Sequence, residues 1–370
     1  MLILMIIGVF SITKSMLDLT IPLYARSLDI SVETIGSIGS SFGLGLLIFE
    51  PLWGFISEKV TEKKLLLLAL SLFSTYSLAY IWAKDFRSLI VLQFIGGMLL
   101  SCFGVASRIL LTRYSSYQNR GEVAGLWWTM MLLGQILGPV IAGFLSEKRA
   151  YEDIFTLVSL MSLLGFLLSL KLEKGSLIKR ERESERRAWR LLIRLSFITV
   201  LYFFTLGFFR YIFPIYLKEG WMKFSEGIIG IVYAICALIQ GLSQIFFGKL
   251  SDKVGRRTFI FTGASLASIS FLGMVLNYND ILLIPIISLY AIGSGIIVPC
   301  LLAIASDLTS RRGGRIMGVY GAMEDLGLFL GPFLTARIYS AFNAHYALIL
   351  CSLVLLVDGL LAIKILDKEV

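Results

Sequence analysis

The sequence predicts an all-α membrane protein: twelve transmembrane helices in two parallel six-helix repeats. Three observations predict it. Of 370 residues, 57% are hydrophobic and only 16% are charged, with mean hydropathy +0.84; a soluble domain averages about 45–50% and about 25%. The apolar residues form long continuous runs instead of alternating, which suits helices and excludes a barrel. The second half of the chain repeats the first at a shift of 192–194 residues. A span with its loop takes roughly 30 residues, so the chain holds about twelve and no soluble domain.

The runs are 1–24, 33–57, 64–83, 88–112, 121–145, 153–171, 192–217, 226–250, 258–276, 281–306, 315–338 and 345–364. The first opens on Met1-Leu-Ile with no charged leader, so it is expected to serve as its own targeting signal. Residues 1–171 and 192–370 form two six-span bundles, and 172–191, rich in Lys, Arg and Glu, is expected to be a helical, charged cytoplasmic linker. With residue 1 in the cytoplasm, 23 Lys/Arg fall on cytoplasmic loops and the tail, eight fall outside and three lie within spans. That asymmetry places both termini in the cytoplasm of a plasma (inner) membrane. The net charge of +9 is thereby assigned to topology, with no nucleic-acid partner.

Charged residues inside spans are costly and mark function. Span 1 carries Lys14 and Asp18, spaced to share one helix face. Glu50 in span 2 and Arg108 in span 4 reach similar depth and are expected to pair. Span 7 carries Arg210 at the repeat position of Asp18, amid many Phe and Tyr. Span 11 carries Glu324 and Asp325, of which at most one faces a cavity squarely. These seven residues are the candidates for proton or substrate coupling, and the aromatics suit a lipophilic ligand.

No phosphate-binding loop is present, and no metal or catalytic constellation can be built around the single His345 or the four cysteines, which read as small apolar side chains. ATP-driven transport by this chain alone is excluded, and neither enzyme chemistry nor a cofactor is expected.

The repeat is anchored by Pro22-Leu-Tyr24 with Pro214-Ile-Tyr216 and by Gly138-Pro139 with Gly331-Pro332. It also pairs Gly54-Phe-Ile-Ser-Glu58 with Gly248-Lys-Leu-Ser-Asp252. The segment Gly248-Lys-Leu-Ser-Asp252-Lys253-Val-Gly255-Arg256-Arg257 resembles the loop motif of the major facilitator superfamily of secondary transporters at every fixed position. The copy after span 2 departs from it, with Glu58 for Asp and Thr61 for Gly.

Gly134-Gln-Ile-Leu-Gly138-Pro139-Val-Ile-Ala142-Gly143 in span 5 resembles that family's proton-coupled exporter motif, and Gly327-Leu-Phe-Leu-Gly331-Pro332 repeats it in span 11. An arginine typical of exporters in span 4 is replaced by Leu in Leu92-Gln93-Phe94-Ile95-Gly96. The resemblance implies a fold in which spans 1 and 7 line a central cavity and span 12, with Asp358, is peripheral and structural. It implies that Asp252 and Glu58 latch the cytoplasmic helix ends of spans 5 and 11, helped by the helix dipoles.

The expected function is alternating-access, proton-coupled export of lipophilic small molecules by a monomer in the lipid bilayer. The alternative is uptake or exchange of a small metabolite such as a sugar or organic acid; a non-transporting receptor on the same fold is the remaining reading.

Overall fold

Long apolar runs with few breakers fold as long helices, because the bilayer interior leaves backbone groups no partner outside the helix. The computed structural model describes residues 2–114, 120–172, 186–277, 279–309 and 314–366. Among them the chain is helical with no strand: α1 (Leu2–Ser27), α2 (Val32–Ile56), α3 (Glu62–Ala79), α4 (Phe86–Tyr114), α5 (Arg120–Lys148), α6 (Tyr151–Leu170), α7 (Arg186–Tyr211), α8 (Phe213–Glu219), α9 (Glu226–Val254), α10 (Arg256–Leu276), α11 (Asp280–Thr309), α12 (Gly314–Ala341) and α13 (Ala344–Ile365). Ten described segments, one of them α7 and α8 together, are long and apolar enough to cross a membrane.

Polar residues end the helices. The Asp85 carboxylate accepts from the backbone N–H groups of Arg87 and Ser88 and caps α4. Asn279 does the same for α11 through Ile281, and Asn343 for α13 through His345 and Tyr346. Asp29 turns the chain between α1 and α2 with φ +58°.

Two sequence expectations need correction. The seventh run is not one helix: it breaks at Ile212, and Pro214, second residue of α8, has no N–H to give the preceding turn. Pro22, its repeat partner, stays inside an unbroken α1. Helix α7 begins at Arg186, so the end of the charged linker is helical, as its sequence suggests; residues 173–185 lie outside the described part. The motif after span 8 is mostly helix, with α9 running to Val254 and Gly255 alone, at φ +112°, joining it to α10. That φ is why Gly255 is glycine.

The chain forms two units. The first comprises Met1–Ile30, Ser41–Lys179 and Phe224–Ala234; the second comprises Ser31–Ser40, Arg180–Lys223 and Ile235–Val370. In the first, α1 packs on α5 and α6, and α3 on α4 and α6. In the second, α7 packs on α12, and α10 on α11 and α13.

Buried serines pin equivalent helix pairs together. Ser74 and Ser159 hydroxyls bond at 2.9 Å between α3 and α6, and Ser268 and Ser352 at 2.7 Å between α10 and α13. Small residues bring the other pairs close. A Cβ on Gly138 would stand 2.8 Å from the Ile12 carbonyl, and one on Gly331 only 2.1 Å from the Phe204 carbonyl.

Each unit is completed by a short arm from the other half of the sequence. In the first unit, the start of α9 lies on the end of α5: a Cβ on Gly143 would be 2.4 Å from the Glu226 carbonyl, and one on Gly230 would be 2.3 Å from that of Pro139. In the second, the start of α2 lies on the end of α12: a Cβ on Gly36 would be 2.4 Å from the Pro332 carbonyl.

Candidate functional site

In the first unit, Lys14 and Asp18 project from adjacent turns of α1 and form an ion pair. Their side chains are 14% and 28% exposed, so the pair is largely shielded from solvent. It borders a cavity of about 10 Å³, room for one water, lined also by Leu17, Phe42, Phe73, Tyr76, Gln93 and Leu100. The Lys14 ammonium stands 5.3 Å from the centre of the Phe42 ring, a cation–π contact. Tyr76 and Tyr80 hydroxyls bond at 2.7 Å, and the Phe73 ring sits 5.2 Å from that of Tyr76. Gln93, beside the position where the exporter arginine is missing, is buried. The site therefore offers a charge pair and an amide within an aromatic wall.

Deeper along α2, Glu50 Oε1 accepts from Arg108 Nη1 at 3.2 Å. Glu50 is 15% exposed and Arg108 is 58% exposed, so this pair is open on the arginine side. Gly134 and Gly138 let α5 approach Ser11, Ile12 and Ser15 of α1, where any side chain would collide. Pro139 and Gly143 receive the α9 arm, and the Tyr151 hydroxyl bonds Glu226 at its start. Where α3 meets α4, Lys84 donates to Glu152 at 2.6 Å, which holds the Lys84 ammonium above its usual range against a small opposing effect of burial. The same connection keeps the Asp85 carboxyl below the usual carboxylate range, chiefly through the N–H of Ser88.

In the second unit, Tyr320 of α12 is buried, with Glu324 on the next turn and Thr199 of α7 within electrostatic reach of its hydroxyl. The Tyr202 hydroxyl bonds Ser294 of α11. Arg210 and Glu324 both lie within electrostatic reach of Tyr202. Asp325, one residue on, is buried at 5% exposure, so the two acids do point differently. Gly327 and Gly331 admit α7, and Pro332 lies against Gly207.

The motif residues at the helix ends divide. A Cβ added to Gly54 or to Gly248 would meet nothing within 4 Å, so neither glycine marks a close approach. Glu58 is exposed in the turn after α2. Arg256 pairs with Asp307 on α11, and Arg257 donates to the Leu366 carbonyl at 3.5 Å. Lys253 is exposed near the end of α9. The Asp252 side chain, and the starts of α5 and α12 expected to face Asp252 and Glu58, lie outside the described side chains.

Several contacts were not read from sequence. Asp307, Tyr151 and Glu226 sit at helix ends, where an acid looks like an ordinary cap or surface charge. Arg337 meets Glu33 at 3.6 Å in the second unit and stacks 3.5 Å over Phe333. A repeat-register comparison signals one of these, since Glu33 and Glu226 are 193 residues apart.

Comparison with known proteins adds three findings. The family model described as Major Facilitator Superfamily matches residues 3–219 and again 195–370. Relatives include the quinolone resistance protein NorA of Staphylococcus aureus, 24% identical over 86% of this chain and 84% of its own length. Another is the multidrug resistance protein MdtG of Proteus mirabilis, 25% identical over 85% and 83%. Among solved structures, a bacterial homologue of the human lysosomal transporter Spinster superposes with TM-score 0.80 at 13% identity, covering 98% of this chain and 95% of that one. The human organic anion transporter MFSD10 superposes with TM-score 0.73 at 17% identity, covering 98% of both. At these identities the structures speak to the fold alone.

Proposed function

The chain belongs to the Major Facilitator Superfamily, and from that premise we propose that it exports lipophilic small molecules in exchange for protons, by alternating access. The observation that carries the reading is the shielded ion pair of Lys14 with Asp18, set among Phe42, Phe73 and Tyr76 beside a one-water cavity that would have to widen to admit a ligand. Aromatic walls take up flat apolar ligands, and a few polar groups orient them. A proton taken by Asp18 ends its attraction for Lys14, so proton uptake and ligand release act on one pair. The names of the relatives NorA and MdtG, and the resemblance of the α5 motif Gly134 to Gly143 to that of exporters, support export over uptake. The excess of Lys and Arg on one set of loops supports cytoplasmic termini in the plasma membrane.

The test is proton movement in inverted membrane vesicles loaded with a pH-sensitive dye. Lipophilic cations, sugars and organic acids are added singly, with Asp18→Asn and Lys14→Met vesicles alongside. Dissipation by lipophilic compounds in wild type, and its loss in both variants, is the expected result. A labelled sugar or organic acid that equilibrates with no proton movement would replace this reading with facilitated exchange.

A further inference from the structure

Asp358 is fully buried in α13, and neither carboxyl oxygen has a hydrogen-bond partner among the described residues. Three helices pack against α13: α10, α7 and α12. From α7 the titratable group near Asp358 is Tyr202, which lies within its electrostatic reach. Beyond it, Tyr320 and Glu324 of α12 are within reach of the same phenol. From α10 this stretch of α13 meets Phe261 and Ala264, neither of which titrates. The basic groups of α10 and α7 nearest the end of α13 are spoken for: Arg257 donates to Leu366, Arg194 to Ile365, and Arg256 pairs with Asp307. An ionised carboxylate with no counter-charge in a low-dielectric interior is far costlier than a neutral acid.

The repeat shows what this position needs for folding. The serine pairs fix the α6 to α13 register at 193, since Ser159 corresponds to Ser352. The close approaches of Gly138 to Ile12 and of Gly331 to Phe204 fix α5 to α12 at 193 and α1 to α7 at 192. Asp358 then corresponds to Gly165, Glu324 to Met131, Tyr320 to Trp127, Tyr202 to Phe10 and Thr199 to Ile7. The first half builds the same packing with apolar residues at every one of these positions. The polar chain of the second half is not required by the architecture.

We propose that Asp358 is a proton-carrying site, linked through the hydroxyls of Tyr202 and Tyr320 to Glu324. The Asp358 O–H bond breaks as α7 and α13 shift to bring Tyr202 into hydrogen-bond contact. Each hydroxyl accepts one proton and passes on another, and the last O–H bond forms on Glu324. Asp358 ends as the anion and Glu324 as the neutral acid. This deepens the proton-coupled reading above and rests on it, and it gives the peripheral α13, expected to be structural, a part in the cycle.

The experiment is infrared spectroscopy of the full chain in liposomes. Wild type, Asp358→Asn and Tyr202→Phe are compared at neutral pH and after transfer to D2O. Wild type is expected to show a carbonyl band of a protonated carboxyl in an apolar setting; Asp358→Asn loses it. Tyr202→Phe keeps it and slows its deuterium shift several-fold, a readout that a packing role would not move. In the vesicle assay, Asp358→Asn is expected to flatten the pH dependence while substrate counterflow continues. A band that survives in Asp358→Asn overturns the proton site. Loss of the band with an unchanged pH profile overturns its link to transport. If wild type moves no protons, the function proposed above fails, and the band then separates that failure from the absence of a proton on Asp358.

Discussion

The two halves of this chain solve one packing problem with different chemistry. Both clamp helix pairs with buried serines and with glycines that meet a carbonyl oxygen. The first half pairs the charges within its spans, Lys14 with Asp18 and Glu50 with Arg108. The second half carries hydroxyls and acids through its interior and breaks its first span at Ile212. Shared features therefore report what the fold needs, and unshared ones report what each half does.

The comparison is sharpened most by the glycines. Gly331→Ala places a Cβ at 2.1 Å from a carbonyl oxygen, and Gly138→Ala one at 2.7 Å from the Ser15 Cβ. Losses of about 3 and about 2 kcal/mol are expected, read as a shift in denaturant midpoint of the purified protein. Gly54→Ala and Gly248→Ala, on open helix faces, are expected to stabilise by about 0.5–1 kcal/mol. Equal losses at all four positions would break the distinction between packing glycines and motif glycines.

Ion pairs come next. Asp18→Asn removes the anion paired with the shielded Lys14 and is expected to cost about 1–2 kcal/mol. Glu50→Gln, facing an arginine that is 58% exposed, is expected to change stability by no more than about 0.5 kcal/mol. The reverse order in the same denaturation series would place the sensitive charge at the wrong pair. Ser74→Ala and Ser268→Ala are each expected to cost about 1 kcal/mol; a clear inequality between them would break the equivalence of the serine clamps.

The smallest effect is a difference in caps. Asp85 caps α4, and Asn279, at the matching position, caps α11 without a charge. The lowered pKa of Asp85 means its charged form is favoured in the folded state. Its contribution is therefore full above the ordinary carboxylate range and fades as pH falls through the lowered value. Asp85→Asn is expected to destabilise at neutral pH and to match wild type in acid, as measured by the unfolding midpoint across pH. A pH-independent difference would assign the effect to geometry alone.

The helices were legible because continuous apolar runs leave few alternatives in a bilayer, and the pairing of Glu50 with Arg108 was legible from matched depth. The break at Ile212 was not, because Pro22 and Pro214 look alike in sequence and only one interrupts its helix. The serine clamps were hidden because a serine in an apolar run equally well bonds its own helix, as Ser162 does with Val158. The partners of Arg256 and Tyr151 depend on which helix ends meet, and no local pattern encodes that.

The exchanged arms bear on how the protein is made. Phe224–Ala234 belongs to the first unit, yet it follows the whole of that unit's other residues in the chain. During synthesis, the surface formed by Gly143, Pro139 and Tyr151 waits without its cover until a segment well into the second half emerges from the ribosome. Ser31–Ser40 waits longer still, since the end of α12 that receives it is among the last parts translated. Maturation thus cannot proceed as two independent closures in order; the first unit stays open until residues 224–234 are made, and the second until α12 is complete.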